Sequence, residues 1–362
     1  MKRTLIVAAL TAILTVTASA SDWWQNISVK GDLRYRHEML KSEGDDARHR
    51  QRLRARVAVL GKVSEQINAT VQLATGSEDP VSTNQTLGDA FSTKRIGLDL
   101  AFFEITPVPT PGLTLVGGKF HNPFFKPGSS ELIWDSDFTP EGGVANYQAK
   151  WPGAELELIG AGLWIEERSK GKDSWLGAAQ GVLTLPLAEG KTKLAFGGAF
   201  FNYVNVAGFP TFFDAEDAFG NSIDTLGQYL NDYELVEGYV EITHEFPKFP
   251  VTLMADFVNN TAADSLNTGW LVGIRAGKTS KPGSVSFRYI YRQLEADAVV
   301  GLFTDSDFRG GGTDAKGHEI GGSLQVAKNA TFDVTFFDNK IGLDKAESGF
   351  QRLQVDLQLK FK

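Results

Sequence analysis

The stretch Arg48-His49-Arg50-Gln51-Arg52-Leu53-Arg54-Ala55-Arg56-Val57-Ala58-Val59 alternates with a period of two. Arg48, Arg50, Arg52, Arg54 and Arg56 share one parity, and Leu53, Ala55, Val57 and Val59 share the other. Successive side chains of a β-strand point to opposite faces, so five guanidinium groups line one face at roughly 7 Å intervals while the other face is apolar. Arginine stays charged under all physiological conditions. A dry core could not hold such a row, since each unpaired buried charge costs several kcal/mol. The exposed face of a soluble sheet would keep the row hydrated. A water-filled barrel lumen does so too, and it also gives the apolar face somewhere to go, against lipid.

Working outward, the same period recurs. Over residues 27–36 the odd positions Ile27, Val29, Gly31, Leu33 and Tyr35 oppose Ser28, Lys30, Asp32, Arg34 and Arg36. About ten alternating residues match a tilted membrane-spanning strand, whereas soluble strands average five or six. Ala69, Val71 and Leu73 alternate with Asn68, Thr70 and Gln72; Trp270, Val272 and Ile274 alternate with Leu271, Gly273 and Arg275. Residues 285–292, 330–337 and above all 352–361 repeat the pattern. Residues 113–120, 155–165 and 175–185 alternate poorly. Short connections at 61–65, 152–153, 247–250, 279–283 and 327–329 take turns with long polar ones at 76–94, 121–143, 204–231 and 294–316. Short turns at one end and long loops at the other describe an outer-membrane barrel, with the turns periplasmic and the loops extracellular. The expected fold is an all-β, closed antiparallel transmembrane β-barrel of about sixteen strands, with the count open by two. A β-sandwich would have shorter strands, and a propeller or β-helix would show a fixed repeat that is absent here.

The remaining chain sets the compartment. Lys2 and Arg3, an apolar run over residues 5–16 and Ala18-Ser19-Ala20 satisfy the three criteria of a cleaved secretory leader over residues 1–20. Residues 21–362 then form the barrel. The chain has 362 residues, no cysteine and a formal charge of −8. These values exclude disulfide scaffolds and thiolate chemistry and argue against a nucleic-acid partner. The five histidines, His37, His49, His121, His244 and His318, form no HExxH motif, and no G-x-S-x-G is present, so no catalytic residue, metal site or cofactor is expected. Tyr35, Trp151, Trp164, Trp175, Tyr203, Trp270, Tyr291 and Phe361 lie near strand ends, where aromatic girdles are expected.

A row of like charge needs balance. The third loop at the long-loop end, 121–143, carries Glu131, Asp135, Asp137 and Glu141. Folded inward, it would set those carboxylates across from Arg34, Arg36, Arg48, Arg50, Arg52, Arg54 and Arg56 and create a transverse field in the narrowest part of the lumen.

Four segments carry a resemblance: Trp23-Trp24-Gln25-Asn26-Ile27, Arg50-Gln51-Arg52-Leu53-Arg54-Ala55-Arg56, Gly118-Lys119-Phe120-His121-Asn122-Pro123-Phe124 and Asp137-Phe138-Thr139-Pro140-Glu141-Gly142. Together they resemble bacterial outer-membrane putative porins. The resemblance implies a sixteen-stranded barrel in the outer membrane, usually a homotrimer among lipid and lipopolysaccharide, passing small hydrophilic solutes. It departs from outer-membrane barrels in one respect: the final aromatic, Phe361, is followed by Lys362. The expected function is therefore a passive diffusion channel with a charged constriction. Two alternatives stay open: an anion or phosphate channel using the arginines as a ladder, since guanidinium binds oxyanions bidentately, and a structural or adhesive barrel with a plugged interior.

Overall fold

The computed structural model describes residues 23–361; the leader expected over residues 1–20 lies outside them. Sixteen strands form one sheet: β1 Ile27–Ser42, β2 Arg48–Lys62, β3 Ile67–Thr75, β4 Ile96–Ile105, β5 Leu113–Lys119, β6 Glu141–Trp151, β7 Ala154–Glu166, β8 Ser174–Leu187, β9 Thr192–Val204, β10 Glu234–Glu245, β11 Pro250–Asn260, β12 Thr268–Gly277, β13 Val285–Leu294, β14 Ala315–Ala327, β15 Ala330–Ile341 and β16 Ser348–Phe361. Each pairs antiparallel with the next, and β1 pairs with β16 from Gly31↔Phe361 to Ser42↔Phe350. The sheet is a closed barrel with no open edge, which is what lets a sheet span lipid.

β2 outruns β3 toward the loop end. Gln85 and Thr86, from the connection 76–95, fold back to pair with Leu53 and Arg52, and the Leu87 amide donates to the Gln51 carbonyl at 2.8 Å. This short strip occupies main-chain groups that the end of β3 leaves open.

Connections at one end are short, down to residues 152–153 and 328–329. At the other end only 76–95, 120–140, 205–233 and 295–314 are long; 43–47, 167–173, 261–267 and 342–347 are brief. The long four are the second, third, fifth and seventh loops.

The two faces separate as the period requires. Val29, Leu33, Tyr35, Val57, Val59, Val71, Leu73, Phe332, Val334, Leu357 and Leu359 are exposed on the outside, an apolar band suited to lipid. Trp151, Trp164, Trp175 and Phe361 are exposed as girdle residues would be, and Trp270 packs on Tyr291 at 5.5 Å. Tyr203 departs from that expectation. It points inward, is 3 % exposed and packs edge-on against Tyr233, because its register partner Leu176 is also an inward, buried residue.

The interior is divided. On the side of β6 to β13 it is filled by an apolar cluster built from the third, fifth and seventh loops against the wall. Trp134 stacks between Phe124 and Phe138 at 5.7 and 5.1 Å and meets Phe201 of β9 edge-on at 5.3 Å. Phe212, Tyr229, Val300 and Phe303 complete the packing. Burying each large side chain contributes roughly 1.5–3 kcal/mol, so the loops are held here by the same force that holds a soluble core. The other side, β13 to β16 and β1 to β3, is lined by charge.

Candidate functional site

The site starts from register. On β1, Asp32, Arg34, Arg36 and Glu38 share the inward parity, and the ladder places them beside Arg56, Arg54, Arg52 and Arg50 of β2. On the other flank Arg36 stands beside Asp356 of β16. The arginine row therefore has carboxylates woven into its own wall. Arg36 makes a bidentate pair with Asp356, both bonds 2.7 Å. Asp32 accepts from Arg54 at 3.1 Å and from Arg56 at 2.7 Å. Glu38 is fully buried and takes both Arg50 and Arg352, with Arg52 at 3.8 Å.

The third loop leaves the wall between two glycines. Gly118 and Gly142 face each other in the β5–β6 ladder with φ of +123° and +150°. A Cβ on either would sit 2.2 Å from a carbonyl oxygen of the neighbouring strand, so only glycine lets the chain turn there. From that root the loop runs across the interior. The Phe125 amide donates to Gln180 of β8 at 2.6 Å, and the Gly128 amide donates to Glu241 of β10 at 2.6 Å. Arg275 of β12 donates to the Gly128 carbonyl. Arg292 of β13 donates to the Glu131 carbonyl at 2.7 Å. Asp137 accepts from Arg54 and Arg56 of β2 at 3.3 and 3.4 Å. Burial pushes the Asp137 carboxyl up, but Arg54, Arg34 and Arg56 outweigh it and hold it below the usual carboxylate range.

The seventh loop enters beside it. Asp305 pairs with Arg292 at 2.7 Å, and Arg292 lies over the Phe308 ring at 3.7 Å. Asp307 pairs with Arg352 at 2.7 Å and Arg36 at 3.4 Å; these guanidiniums override its burial and hold its carboxyl low. Glu131, Asp135 and Asp305 bring a carboxylate oxygen each within 4.8 Å of one another. Burial first, and the neighbouring carboxylates next, push Glu131 up to about 8 and Asp135 well above its ordinary value. Part of the cluster is therefore neutral at pH 7.

Between these loops and the wall lies a cavity of about 330 Å³. Arg34, Arg36, Arg275 and Arg288 line it. So do Glu131, Asp135 and Asp137 from the third loop, Asp305 and Asp307 from the seventh, and Glu319, Asp333 and Asp356 from the wall.

The expected site residues are thus distributed unevenly. Arg34, Arg36, Arg50, Arg52, Arg54 and Arg56 share the charged inner face, whereas Arg48 is exposed at its loop end, opposite Leu40. Of the four loop carboxylates, only Asp137 forms an ion pair with the row. Glu131 and Asp135 turn to Asp305. Glu141 corrects the expectation: it opens β6 on the outward parity, beside exposed Trp164, and pairs with Lys119 at 3.0 Å. Asp32, Glu38, Asp333, Arg352 and Asp356 were legible as inward parity on their strands but were not singled out. Asp305 and Asp307 lie in an aperiodic loop and carried no such signal.

A family model described as a putative porin matches residues 41–225 and 236–361. No curated protein matches the chain. Among solved structures, the high-pH structure of OprB from Pseudomonas putida is similar at 10% identity over 93% of this chain and 94% of that one, with a TM-score of 0.62. OmpF of Salmonella typhi, solved as a complex with daunomycin, gives 10% identity, 92% and 97% coverage and 0.55. The outer membrane channel DcaP of Acinetobacter baumannii gives 11%, 92% and 97%, and 0.54. At such identities the likeness is one of fold. The family model takes in β2 to β9 whole and all but the first residues of β10 to β16, and by that match the chain belongs to the putative porin family.

Proposed function

We propose that small hydrophilic solutes and ions cross the outer membrane through the charged half of this barrel, past a constriction made by the third loop at residues 121–143 with the seventh loop beside it. The protein acts as a passive outer-membrane diffusion channel. The observation that carries this reading is the polar cavity between those loops and the wall, inside a closed barrel whose outer face is apolar. In this reading Arg34, Arg36, Arg50, Arg52, Arg54 and Arg56 have two roles. The ion pairs of Arg54 and Arg56 with Asp137 and of Arg36 with Asp307 pin both loops at fixed positions, and the polar surface of the row keeps the passage hydrated. Passage is by diffusion, so the reading includes no catalytic group, cofactor or metal. It also includes export with loss of residues 1–20, a setting of outer-membrane lipid and lipopolysaccharide, and assembly as a homotrimer.

The test is single-channel recording of the purified, detergent-folded protein in planar bilayers. Discrete conductance steps are expected. A second reading, a structural barrel with a plugged interior, is favoured by the apolar cluster that fills the other half. Silence in the bilayer from a correctly folded barrel would establish that reading and reject the channel.

A further inference from the structure

We infer that the passage selects by charge in favour of cations, with Glu131 and Asp333 as the residues that set the preference. This rests on the channel reading of the same cavity.

The arginine row suggests the opposite, and the geometry explains why it misleads. An ion in transit responds to charges that face it without a fixed partner. In three of the mixed pairs at this cavity the carboxylate lines it and a guanidinium behind it does not. Asp137, Asp305 and Asp307 line the cavity. Arg54, Arg292 and Arg352, which pair with them, have side chains only 7, 3 and 3 % exposed and stand behind them in the wall; Arg56 also reaches Asp137, and Arg36 reaches Asp307 from the cavity side. Of the four arginines that do reach the cavity, two are spent on carboxylates: Arg36 is clamped by Asp356 and Arg288 by Glu319. Arg34, 9 % exposed, and Arg275 have neutral partners, Asn84 at 2.6 Å and the Gly128 carbonyl, and keep their charge.

Carboxylates remain on the other side of the account. Among the described residues Asp333 accepts only from the neutral Thr331 and Gln358, at 2.9 and 3.1 Å. Its register partner is Asp356, which is already held by Arg36. Glu131 faces Asp305, Lys126 and Arg288 and is hydrogen-bonded by Ser136; Arg288 is already engaged by Glu319. Asp135 beside it accepts from the amides of Asp137 and Ser306 and has no cationic partner among the described residues. Once ionised, Glu131, Asp135 and Asp333 outnumber Arg34 and Arg275, and low-dielectric walls focus that surplus along the passage. Because burial and Asp305 push Glu131 up to about 8, it gains charge as pH rises through that value, so the preference strengthens from neutral to alkaline pH.

The experiment uses the full mature protein in planar bilayers across an about tenfold KCl gradient, at alkaline pH above the Glu131 value of about 8 and again at neutral pH, with the reversal potential as readout. Wild type is expected to favour K⁺ over Cl⁻ several-fold. Asp333→Asn and Glu131→Gln preserve hydrogen bonding and are each expected to lower that ratio about two- to fivefold, the scale of one unit charge at contact distance in a hydrated site. Glu131→Gln is also expected to flatten the rise with pH. Conductance steps with a Cl⁻ preference, or none, in wild type would overturn the inference while leaving the channel intact. A K⁺ preference unchanged in both variants would overturn the assignment to these residues. Absence of steps would instead sink the channel reading on which the inference stands.

Discussion

One wall encloses two interiors. From β6 to β13 the inner face carries the apolar cluster that packs against three loops, with Gln180, Glu237, Glu241 and Asp256 as polar exceptions; from β13 around to β3 it is charged and encloses a polar cavity. The two meet on β13, where Ile290 and Leu294 join the cluster while Arg288 and Arg292 hold carboxylates. The difference shows that a barrel interior need not be uniform. Dispersion and hydrophobic burial fix the loops from one side, and ion pairs position their edges from the other.

The largest expected effect falls on the packed half. Trp134→Ala removes the ring stacked between Phe124 and Phe138 and is expected to cost about 3–5 kcal/mol, read as a lower thermal unfolding temperature in detergent, with a larger and noisier conductance as the third loop loosens. A similar loss reached from the charged half tests whether it is equally well built. Glu38→Ala leaves Arg50 without a carboxylate and Arg352 with Asp307 alone, and is expected to cost about 3–5 kcal/mol in the same assay. If it costs under about 1 kcal/mol, the charged wall is hydrated enough to be indifferent to pairing.

Asp137→Asn weakens the hold of Arg54 and Arg56 on the third loop, with an expected cost of about 1–3 kcal/mol and more frequent brief closures in single-channel traces. The pH dependence follows from the sign. Asp137 and Asp307 are held below the ordinary carboxylate range, so their tethering is in place above the unfolded value and is lost only as pH falls through the lower folded one. Wild-type traces should therefore stay quiet from neutral pH through the ordinary carboxylate range and turn noisy only below it, while Asp137→Asn is noisy throughout. The smallest effect belongs to Glu141→Gln. As an exposed pair with Lys119 on the outer face it is expected to change stability by under about 1 kcal/mol and reversal potential not at all. A change in reversal potential would return Glu141 to the passage.

The same comparison explains what sequence reading could reach. Strands with lipid on one side and water on the other must alternate, and the stretches around Arg48–Arg56, Asp32–Arg36 and Arg352–Phe361 did so plainly. Residues 155–165 and 175–185 alternated poorly for a physical reason. Ile159, Leu163, Leu176 and Val182 face inward yet are buried in apolar surroundings, so both faces of β7 and β8 are hydrophobic. The balance of the arginine row was half legible. Asp32 and Glu38 share its parity on the adjacent strand, but pairing partners depend on register, which a period of two does not disclose. Loop residues such as Asp305 have no period at all, and only the fold brings them to Arg292.

The barrel closes at the seam between β1 and β16. Arg36 grips Asp356 and Glu38 grips Arg352 across β1 and β16, so closure is a matching of charged teeth. Slipping by one position would turn these arginines toward lipid, at about 2–4 kcal/mol each near the bilayer midplane. Slipping by two would keep them inside but set Arg36 against Gln354 or Gln358, the neighbours two places along β16. The seam thus works as a lock with one key position, and it rejects mis-stitched barrels at the moment the last strand docks.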